Sequence, residues 1–338
     1  MKNFYLLRSL LLFCLISIIV SCEKDEITNE DLYIDPTEGT IADYVKSQNN
    51  LTNLATALEQ VDLLTTLDSS ELSYVFLPDN SAFNAFLQEN NYQSIEDIPS
   101  NYLKQVLLNH IMNSDIDIRS QRTEPEVIIT TRATQLFNSD NNIAAVVKHQ
   151  GNTTTLNGVD VMNETMSFSN GNATIVNNII EPSTLQSLLV SYESFNTMRD
   201  VIAQSPESEE IISLCDQRIV ESSNTPLTVF LPRPEVIEAA LAFEADFISA
   251  PVGDRFGDFV DSHVSETGTH YVGQLENNEE VVTRLRTATS RINNDGSVSL
   301  TVNNGLSLHT VNLIGDQEGI LHVANGTIQK IAGSLYSR

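Results

Sequence analysis

The chain has 338 residues, of which 41% are hydrophobic and 19% are charged, a balance typical of globular protein rather than of a disordered chain. Its 45 acidic and 18 basic residues give a net charge of −27, which argues against binding to nucleic acid or to anionic lipid headgroups, since both depend on basic surfaces. The length suits two domains, each large enough to bury a core of its own.

The first 21 residues have the organisation of a targeting signal. Lys2 and Arg8 precede an apolar run over residues 10–20, which is shorter than the roughly 20 residues that a membrane span needs. The run closes as Ile19-Val20-Ser21-Cys22, which resembles the lipobox of bacterial lipoproteins. The resemblance implies that residues 1–21 are removed and that an acyl group on Cys22 holds the chain at a membrane. An ordinary secretory signal with an incidental cysteine is the alternative.

Residues 22–39 contain the acylated cysteine and an acidic, polar segment that is typical of a tether. Lys24, Asp25 and Glu26 come directly after the start of this segment. A lysine followed by two acids resembles the surface-export signal of Bacteroidota lipoproteins; a solvated charged tether is the alternative. We therefore predict a lipid-anchored protein of the outer membrane, exposed at the cell surface.

Cysteine content excludes an intrachain disulfide. Cys14 leaves with the signal and Cys22 is acylated, so that only Cys215 remains. Cys215 lies at helical spacing from Ile211, which favours a buried core thiol over a nucleophile.

The first half of the mature chain predicts helices followed by strands. Leu51, Leu54 and Leu58 fall on one helical face, and Pro78 ends a short strand that begins at Tyr74. After residue 112 the hydrophobic period shifts toward two, which indicates strands. The predicted elements are helices from 51, from 82 and over 102–112, and strands at 74–77, 126–131, 143–148, 159–162 and 175–180.

The second half shows the same progression after a short link predicted at 183–191. Asn293-Asn294-Asp295-Gly296, between alternating strands, predicts a hairpin turn. The predicted elements are helices from 195 and over 236–247, and strands at 229–231, 281–285, 298–302 and 308–313.

Three landmarks recur in the same order and at similar intervals. Val75-Phe76-Leu77-Pro78 returns as Val229-Phe230-Leu231-Pro232, and His110 is answered by His263. The segment that starts at Asn170-Gly171 is matched with the one that starts at Glu318-Gly319. So long a period indicates tandem domains rather than stacked short repeats. We predict domains at 40–182 and 190–338.

The repeated segments resemble the two signatures of the fasciclin (FAS1) family. Residues 74–83 resemble the first signature, a strand ended by proline and followed by a capped helix, and residues 170–182 resemble the second. The resemblance implies an α+β fold of two tandem FAS1-like domains, each a wedge of short, mostly antiparallel β-strands with helices packed on one side. It assigns family-motif positions, which we expect to be structural, to Phe76, Pro78, Phe83, His110, Asn170, Gly171, Pro182, Phe230, Pro232, His263, Gly319 and His322.

Both copies depart from the second signature. Thr174 stands where the family has histidine, and Asn177 stands where it has aspartate. The second copy keeps a histidine at His322 but has Asn325 at the acidic position. After its strand the second copy continues as Arg233-Pro234-Glu235, where the first copy has the helix-capping residues 79–81. The second domain is therefore the more divergent of the two.

No local motif points to catalysis, a metal or a cofactor. His110 shares a helical face with apolar residues, and His322 lies between Leu321 and Val323, so that both histidines favour a packing role. No nucleophile elbow and no phosphate-binding glycine loop is present in the sequence. A pair of carboxylates brought together in space would leave no local pattern and stays an alternative. We predict a protein that is not an enzyme and holds no cofactor.

The resemblance implies a non-catalytic adhesion or binding lipoprotein of the cell surface, whose tandem domains raise avidity. The alternative function is a glycan-binding accessory lipoprotein of an outer-membrane carbohydrate-uptake system. The expected partners are an extracellular protein or glycan, with an outer-membrane transporter complex as a further possibility. No nucleic acid is expected, and membrane contact is expected only through the lipid anchor.

Replacing Cys22 with alanine should release the protein from membranes, because the mature chain would lose its acylation site. Fractionation of cells into membrane and soluble pools measures the effect. Cys215→Ala serves as the control and should leave the protein in the membrane pool. Membrane association that persists in Cys22→Ala would contradict the anchor.

Overall fold

A computed structural model describes residues 33–34, 39–69, 74–113, 118, 124–218, 225–247, 252–316 and 319–336. The predicted signal, Cys22, and the segment from Lys24 through Asp25 to Glu26 lie outside these residues. Both halves of the folded part belong to one unit, Ile34–Arg338.

The first half contains four α-helices and eight strands among the described residues. The helices are α1 (Ile41–Ser47), α2 (Thr52–Gln60), α3 (Asn80–Glu89) and α4 (Ser100–Asn109). The strands are β1 (Tyr33–Ile34), β2 (Tyr74–Pro78), β3 (Glu126–Thr134), β4 (Asn142–Gln150), β5 (Thr153–Leu156), β6 (Val159–Asp160), β7 (Thr165–Phe168) and β8 (Gly171–Val176).

The second half contains five α-helices and eight strands among its own described residues. The helices are α5 (Leu185–Ser191), α6 (Asn196–Gln204), α7 (Ser208–Cys215), α8 (Pro234–Phe247) and α9 (Val252–His263). The strands are β9 (Leu227–Pro232), β10 (Val264–Ser265), β11 (Glu280–Val282), β12 (Thr287–Ile292), β13 (Val298–Asn303), β14 (Leu308–Asn312), β15 (Ile320–Val323) and β16 (Gly326–Ile331).

The two halves share the central part of their sheet topology. Strands β7, β8 and β2 are neighbours in that order, as are β15, β16 and β9, and in each trio the last pair is parallel. Each half also has a four-stranded antiparallel meander, β3-β4-β5-β6 in the first and β11-β12-β13-β14 in the second. The predicted α+β fold of short, mostly antiparallel strands with helices is confirmed, and the repeated topology shows that the two halves are copies of one module.

Strand β2 is buried on both faces, which explains its unbroken apolar sequence. Val75 and Leu77 pack in the helical core, whereas Phe76 packs against the meander. Pro78 ends the strand, and the carboxylate of Asp79 accepts the Ala82 N–H at 2.8 Å to cap α3. In β9 the alternation is the same: Val229 and Leu231 face the helices and Phe230 faces the second meander.

The structure corrects the predicted link at 183–191. Residues 185–191 form α5, the counterpart of α1, and both helices begin with a threonine capping box, at Thr40 and at Thr184. The second module therefore begins near Thr184 rather than at residue 190. Strand β12 was not predicted, because Ala288 and Ile292 are its only apolar residues. The predicted hairpin turn after it is confirmed, since the Asn293 N–H donates to Ser297 O at 2.8 Å.

An interface of polar and apolar contacts joins the modules. The buried Gln135 amide nitrogen donates to the carbonyl oxygens of Val323, at 2.9 Å, and Gly326, at 2.6 Å. Its oxygen accepts from the Asn141 amide at 2.8 Å. Ala144 and Val146, on the outer face of β4, belong to the same buried cluster as the helices of the second module. The second module thus covers the outer face of the first meander.

Replacing Gln135 with leucine should lower the free energy of unfolding by about 2–3 kcal/mol, because two buried carbonyls lose their donor. The interface would weaken enough for the modules to unfold in two separate transitions during urea denaturation. Gln150→Leu, an exposed change at the end of β4, is the control and should keep one transition. A single transition of unchanged midpoint in Gln135→Leu would contradict this view of the interface.

Candidate functional site

His110 caps α4 and is fully enclosed. Its Nδ1 lies 2.8 Å from Val106 O, and its Nε2 accepts the Ile180 N–H at 3.0 Å. The first nitrogen therefore donates and the second accepts, which defines the neutral tautomer. Burial lowers the pKa of His110 to about 4, so that the ring is neutral at physiological pH.

His263 has the same two contacts in the second module. Its Nδ1 lies 2.7 Å from Phe259 O, and its Nε2 accepts the Leu335 N–H at 2.9 Å. Burial lowers the pKa of this ring to about 4 as well. Both histidines tie the end of a helix to the segment that follows the last strand of the module.

Ser334 lies beside His263, an arrangement that superficially suggests a nucleophile and its base. The Ser334 Oγ is 3.3 Å from His263 Nε2, but that nitrogen already accepts a backbone N–H. The opposite nitrogen donates to a carbonyl rather than to a carboxylate, so that no group orients or charges the ring for proton abstraction. The pair has the geometry of a structural clamp.

Asn170 anchors the start of the first module. Its side-chain oxygen accepts the Ile41 N–H at 3.0 Å. Its amide nitrogen donates to Leu67 O at 2.7 Å and to Ser69 O at 3.0 Å. One side chain thus joins the first helix and a loop to the strand that begins at Gly171.

Asn325 makes the equivalent contacts in the second module. Its oxygen accepts the Leu185 N–H at 2.9 Å, and its amide donates to Cys215 O at 2.8 Å and to Leu214 O at 3.2 Å. The counterpart of Asn170 is therefore Asn325 rather than Glu318, which lies outside the described residues.

The predicted alignment of Gly171 with Gly319 is wrong by seven residues. The counterpart of Gly171 is Gly326, where a Cβ would collide with the carbonyl oxygen of Leu227 on the parallel neighbour strand. Strands β15 and β16 are adjacent, and both belong to apolar runs that begin with a glycine. The predicted alignment matched the signature to the run of β15, because that run contains a histidine. The Asn325-Gly326 dipeptide was the signal that could have identified the correct run.

His322 consequently lies on β15 and not at the signature position. Its ring packs edge-on against Tyr271 with centroids 4.8 Å apart, and its Nδ1 is 3.1 Å from Thr327 Oγ1. The residue at the signature position is Gln329, which pairs with Phe230 as Thr174 pairs with Phe76.

The other family-motif residues form the framework. Phe76, Phe83 and Phe230 are among the largest fully buried side chains, and Pro78 and Pro232 end their strands inside the fold. Buried Cys215 has a pKa raised to about 12, chiefly by desolvation, which keeps the thiol neutral and unreactive.

Pro182 lines a cleft of about 190 Å³ between the modules. Arg218 and Glu181 bridge its wall at 2.7 Å, and the Tyr102 hydroxyl donates to Glu181 at 2.8 Å. The cleft is smaller than the roughly 300 Å³ at which ligand pockets begin, and its charged groups are already paired. It offers little room for a substrate or cofactor.

An acidic cluster surrounds Arg284 at the turn between β11 and β12. The guanidinium contacts Glu207 at 2.6 Å, Glu210 at 3.1 Å, Asp261 at 2.8 Å and also Glu266. Burial raises the pKa of Asp261, while Arg284 opposes that shift. We call these four carboxylates the acidic cluster; they outnumber the one cation at their centre. No group of metal-ligating side chains suitable for an ion occurs within the described ranges.

Exposed apolar side chains gather at one end of the second meander. Six large hydrophobic residues are exposed in the part of the chain that the structure describes, and four belong to this end. They are Val282, Leu285, Leu306 and Leu308, with 41%, 38%, 92% and 71% of their surface exposed. We call these four residues the apolar end. It is the candidate functional site.

The strand register places these four residues at the same end of the sheet, Val282 and Leu285 beside one edge strand, β11, and Leu306 and Leu308 beside the other, β14. Val282 pairs with Thr287, one position beyond the pair of Ala288 with Val302, and Leu308 pairs with Asn303. The turns that contain Leu285 and Leu306 leave the sheet at this same end. Sequence analysis missed the site because its members are separated along the chain and come to one end of the sheet only through strand pairing.

The buried histidines predict that the fold loses stability as the pH falls from about 6.5 to about 4. In that window His110 and His263 are protonated in the unfolded chain but remain neutral in the folded chain. Each histidine should reduce the free energy of unfolding by about 2 kcal/mol between pH 7 and pH 5. Denaturant titration of His263→Gln should show a smaller loss over this window than the parent chain does. An equal pH dependence in His263→Gln would contradict the assignment.

Comparison with known proteins supports the assignment of the first module. The fasciclin domain model matches residues 49–182. No curated protein matches the sequence. A solved FAS1 domain pair from the insect cell adhesion molecule fasciclin I is similar at 16% identity and a TM-score of 0.44, covering 88% of this chain and 96% of that one.

No helix in the described part of the chain combines the length and the apolar character that crossing a bilayer requires. Residues 49–182 are thus similar to the fasciclin domain, and the second module repeats the central sheet topology of that region.

Proposed function

We propose that the mature chain is a lipid-anchored, surface-exposed binding protein that acts in adhesion and carries out no catalysis. The observation that carries this proposal is the difference in exposure between its reactive groups and its apolar surface. The groups that could do chemistry are fixed inside the framework, whereas the apolar end is presented to solvent. Exposed apolar patches on a folded protein commonly mark interaction sites.

The absence of catalysis is supported by the state of the candidate groups. His110 and His263 have both ring nitrogens bonded to the backbone, and Cys215 is a buried neutral thiol. The acidic cluster is neutralised in part by Arg284 rather than organised as an acid and a base. A fasciclin domain, as the resemblance implies, is an interaction module.

Glycan binding is the second candidate, favoured by the hydroxyl-rich outer face of the second meander. Thr289, Thr301 and Thr310 lie on this face, and the last two share a bond between their hydroxyls at 3.0 Å. The sequence contains no tryptophan, and sugar recognition commonly uses an aromatic platform for stacking. Protein binding is therefore the first candidate.

A binding screen with the chain from residue 23 onward separates the two candidates. We expect binding to extracellular matrix proteins or whole cells together with an empty glycan array, because an apolar surface desolvates well against protein. The heat-denatured chain is the control for nonspecific adsorption. Selective saccharide binding would replace adhesion by the glycan-uptake role, and failure to bind either class would contradict the proposed function.

A further inference from the structure

Two equivalent hairpins of the duplicated fold carry the same dipeptide. Asn157-Gly158 lies in the turn between β5 and β6, and Asn304-Gly305 lies in the turn between β13 and β14. Each turn joins the last two strands of its meander. An asparagine followed by glycine is a reactive pair, because the glycine nitrogen has no neighbouring side chain to hinder its attack on the asparagine amide. The two copies place this pair in different surroundings.

The asparagine of the first hairpin is held at both atoms of its side-chain amide. The Asn157 oxygen accepts the Val146 N–H at 2.8 Å, and its nitrogen donates to Glu181 O at 3.0 Å. Loss of that nitrogen would leave the carbonyl of Glu181 without its donor, which costs free energy inside a folded protein. The fold therefore protects Asn157.

Two further asparagines that precede glycine, Asn170 and Asn325, are buried. Each donates from its amide nitrogen to two backbone carbonyls, as described for the anchors of the two modules. Their amide nitrogens are part of the framework, so that the fold protects these two residues as well.

Asn304 has the opposite arrangement. Its side-chain oxygen accepts the N–H groups of Leu306, at 2.9 Å, and Ser307, at 2.8 Å, and the Ser307 hydroxyl lies 3.5 Å from the same oxygen. Its amide nitrogen donates to no group in the part of the chain that the structure describes. The oxygen is thus held by two backbone donors, while the nitrogen is free to leave.

The neighbouring Gly305 is open to solvent. A Cβ built on it would meet nothing within 4 Å, and its φ of +85° suits glycine. Its N–H donates to the side-chain oxygen of Asn303 at 2.9 Å, and Asn303 is itself exposed, so that water can replace this bond. Water and hydroxide therefore reach the glycine nitrogen.

We propose that Asn304 is a site of spontaneous covalent modification, at which the turn between β13 and β14 converts its own asparagine to aspartate and isoaspartate. Water is the co-reactant and ammonia is the product. This inference goes beyond the proposed function and does not depend on it.

The reaction has two steps that balance. Hydroxide removes the proton of the Gly305 nitrogen, which attacks Cγ of Asn304. Negative charge develops on the Asn304 oxygen, where the N–H groups of Leu306 and Ser307 stabilise it as an oxyanion hole does. The Cγ–N bond then breaks, and the amide nitrogen takes a proton from water and leaves as ammonia. Water opens the resulting five-membered succinimide at either carbonyl, which gives aspartate or isoaspartate.

The product changes the surface beside the apolar end. Residues 303–309 contain no charged side chain other than a histidine, and the reaction adds a carboxylate among them. Isoaspartate also inserts a methylene group into the backbone of the turn that presents Leu306, which is 92% exposed. The modification therefore adds negative charge next to this leucine and alters the turn that holds it.

Peptide mapping by mass spectrometry tests the proposal on the chain from residue 23 onward, incubated at mildly alkaline pH. We expect Asn304 to exchange its amide for a carboxyl group at least tenfold faster than Asn157, Asn170 or Asn325 in the folded chain. In the urea-unfolded chain the four residues should react at similar rates, because each is followed by glycine. Conversion of Asn304 no faster than that of the other three would overturn the proposal. A tenfold preference for Asn304 that persists in urea would also overturn it, since the preference would then come from local sequence.

A pair of variants provides a second readout, the isoaspartate detected by an isoaspartyl methyltransferase. Asn304→Gln should remove most of the isoaspartate that the folded chain accumulates, because glutamine must close a six-membered ring to react. Asn294→Gln is the matched control, an exposed asparagine of the neighbouring hairpin that is followed by aspartate, and it should leave the amount unchanged. Equal urea midpoints verify the folding of both variants. Undiminished isoaspartate in Asn304→Gln would overturn the assignment of the site.

Discussion

The buried parallel strand pair at the centre of each module is the constraint on which the rest of the structure depends. β2 and β9 are covered on both faces, and their partners β8 and β16 arrive only after the whole meander has been traversed. Such a distant pairing is entropically costly, so that its ends must be secured. A histidine secures one end and an asparagine the other in both modules. Both modules keep these bonds although their sequences have diverged, which indicates that the fold depends on them.

The two meanders differ in whether their outer faces are covered by another part of the protein. The outer face of β4 presents Ala144 and Val146 to the second module, and Gln135 completes that contact with two carbonyls. The equivalent face of β12 presents Thr287, Thr289 and Arg291 to solvent. The second meander therefore has a polar outer face at β12. Against that background the leucines of the apolar end are an exception with no structural purpose.

The acidic charge of the protein selects among its possible partners. A strongly acidic protein gains solubility from its charge but repels most acidic partners and membranes. The acidic cluster concentrates this effect at the turn between β11 and β12, since four carboxylates converge on Arg284 from two helices and a loop.

Local chemistry determined much of the protein directly from sequence. The recurrence of Val75-Phe76-Leu77-Pro78 identified the duplicated strand, and turn residues located the hairpin at Asn293, because caps, turns and periodicity act over a few residues. Only the tertiary structure decided that Asn325-Gly326, rather than Gly319, begins the closing strand, since β15 and β16 have similar patterns and their pairing alone distinguishes them. It also decided that Leu185–Ser191 is a helix of the second module and not a link, through the bond between Leu185 and Asn325. The apolar end and the acidic cluster arise from residues far apart in the chain, and whether a face is covered depends on what packs against it, which no local pattern records.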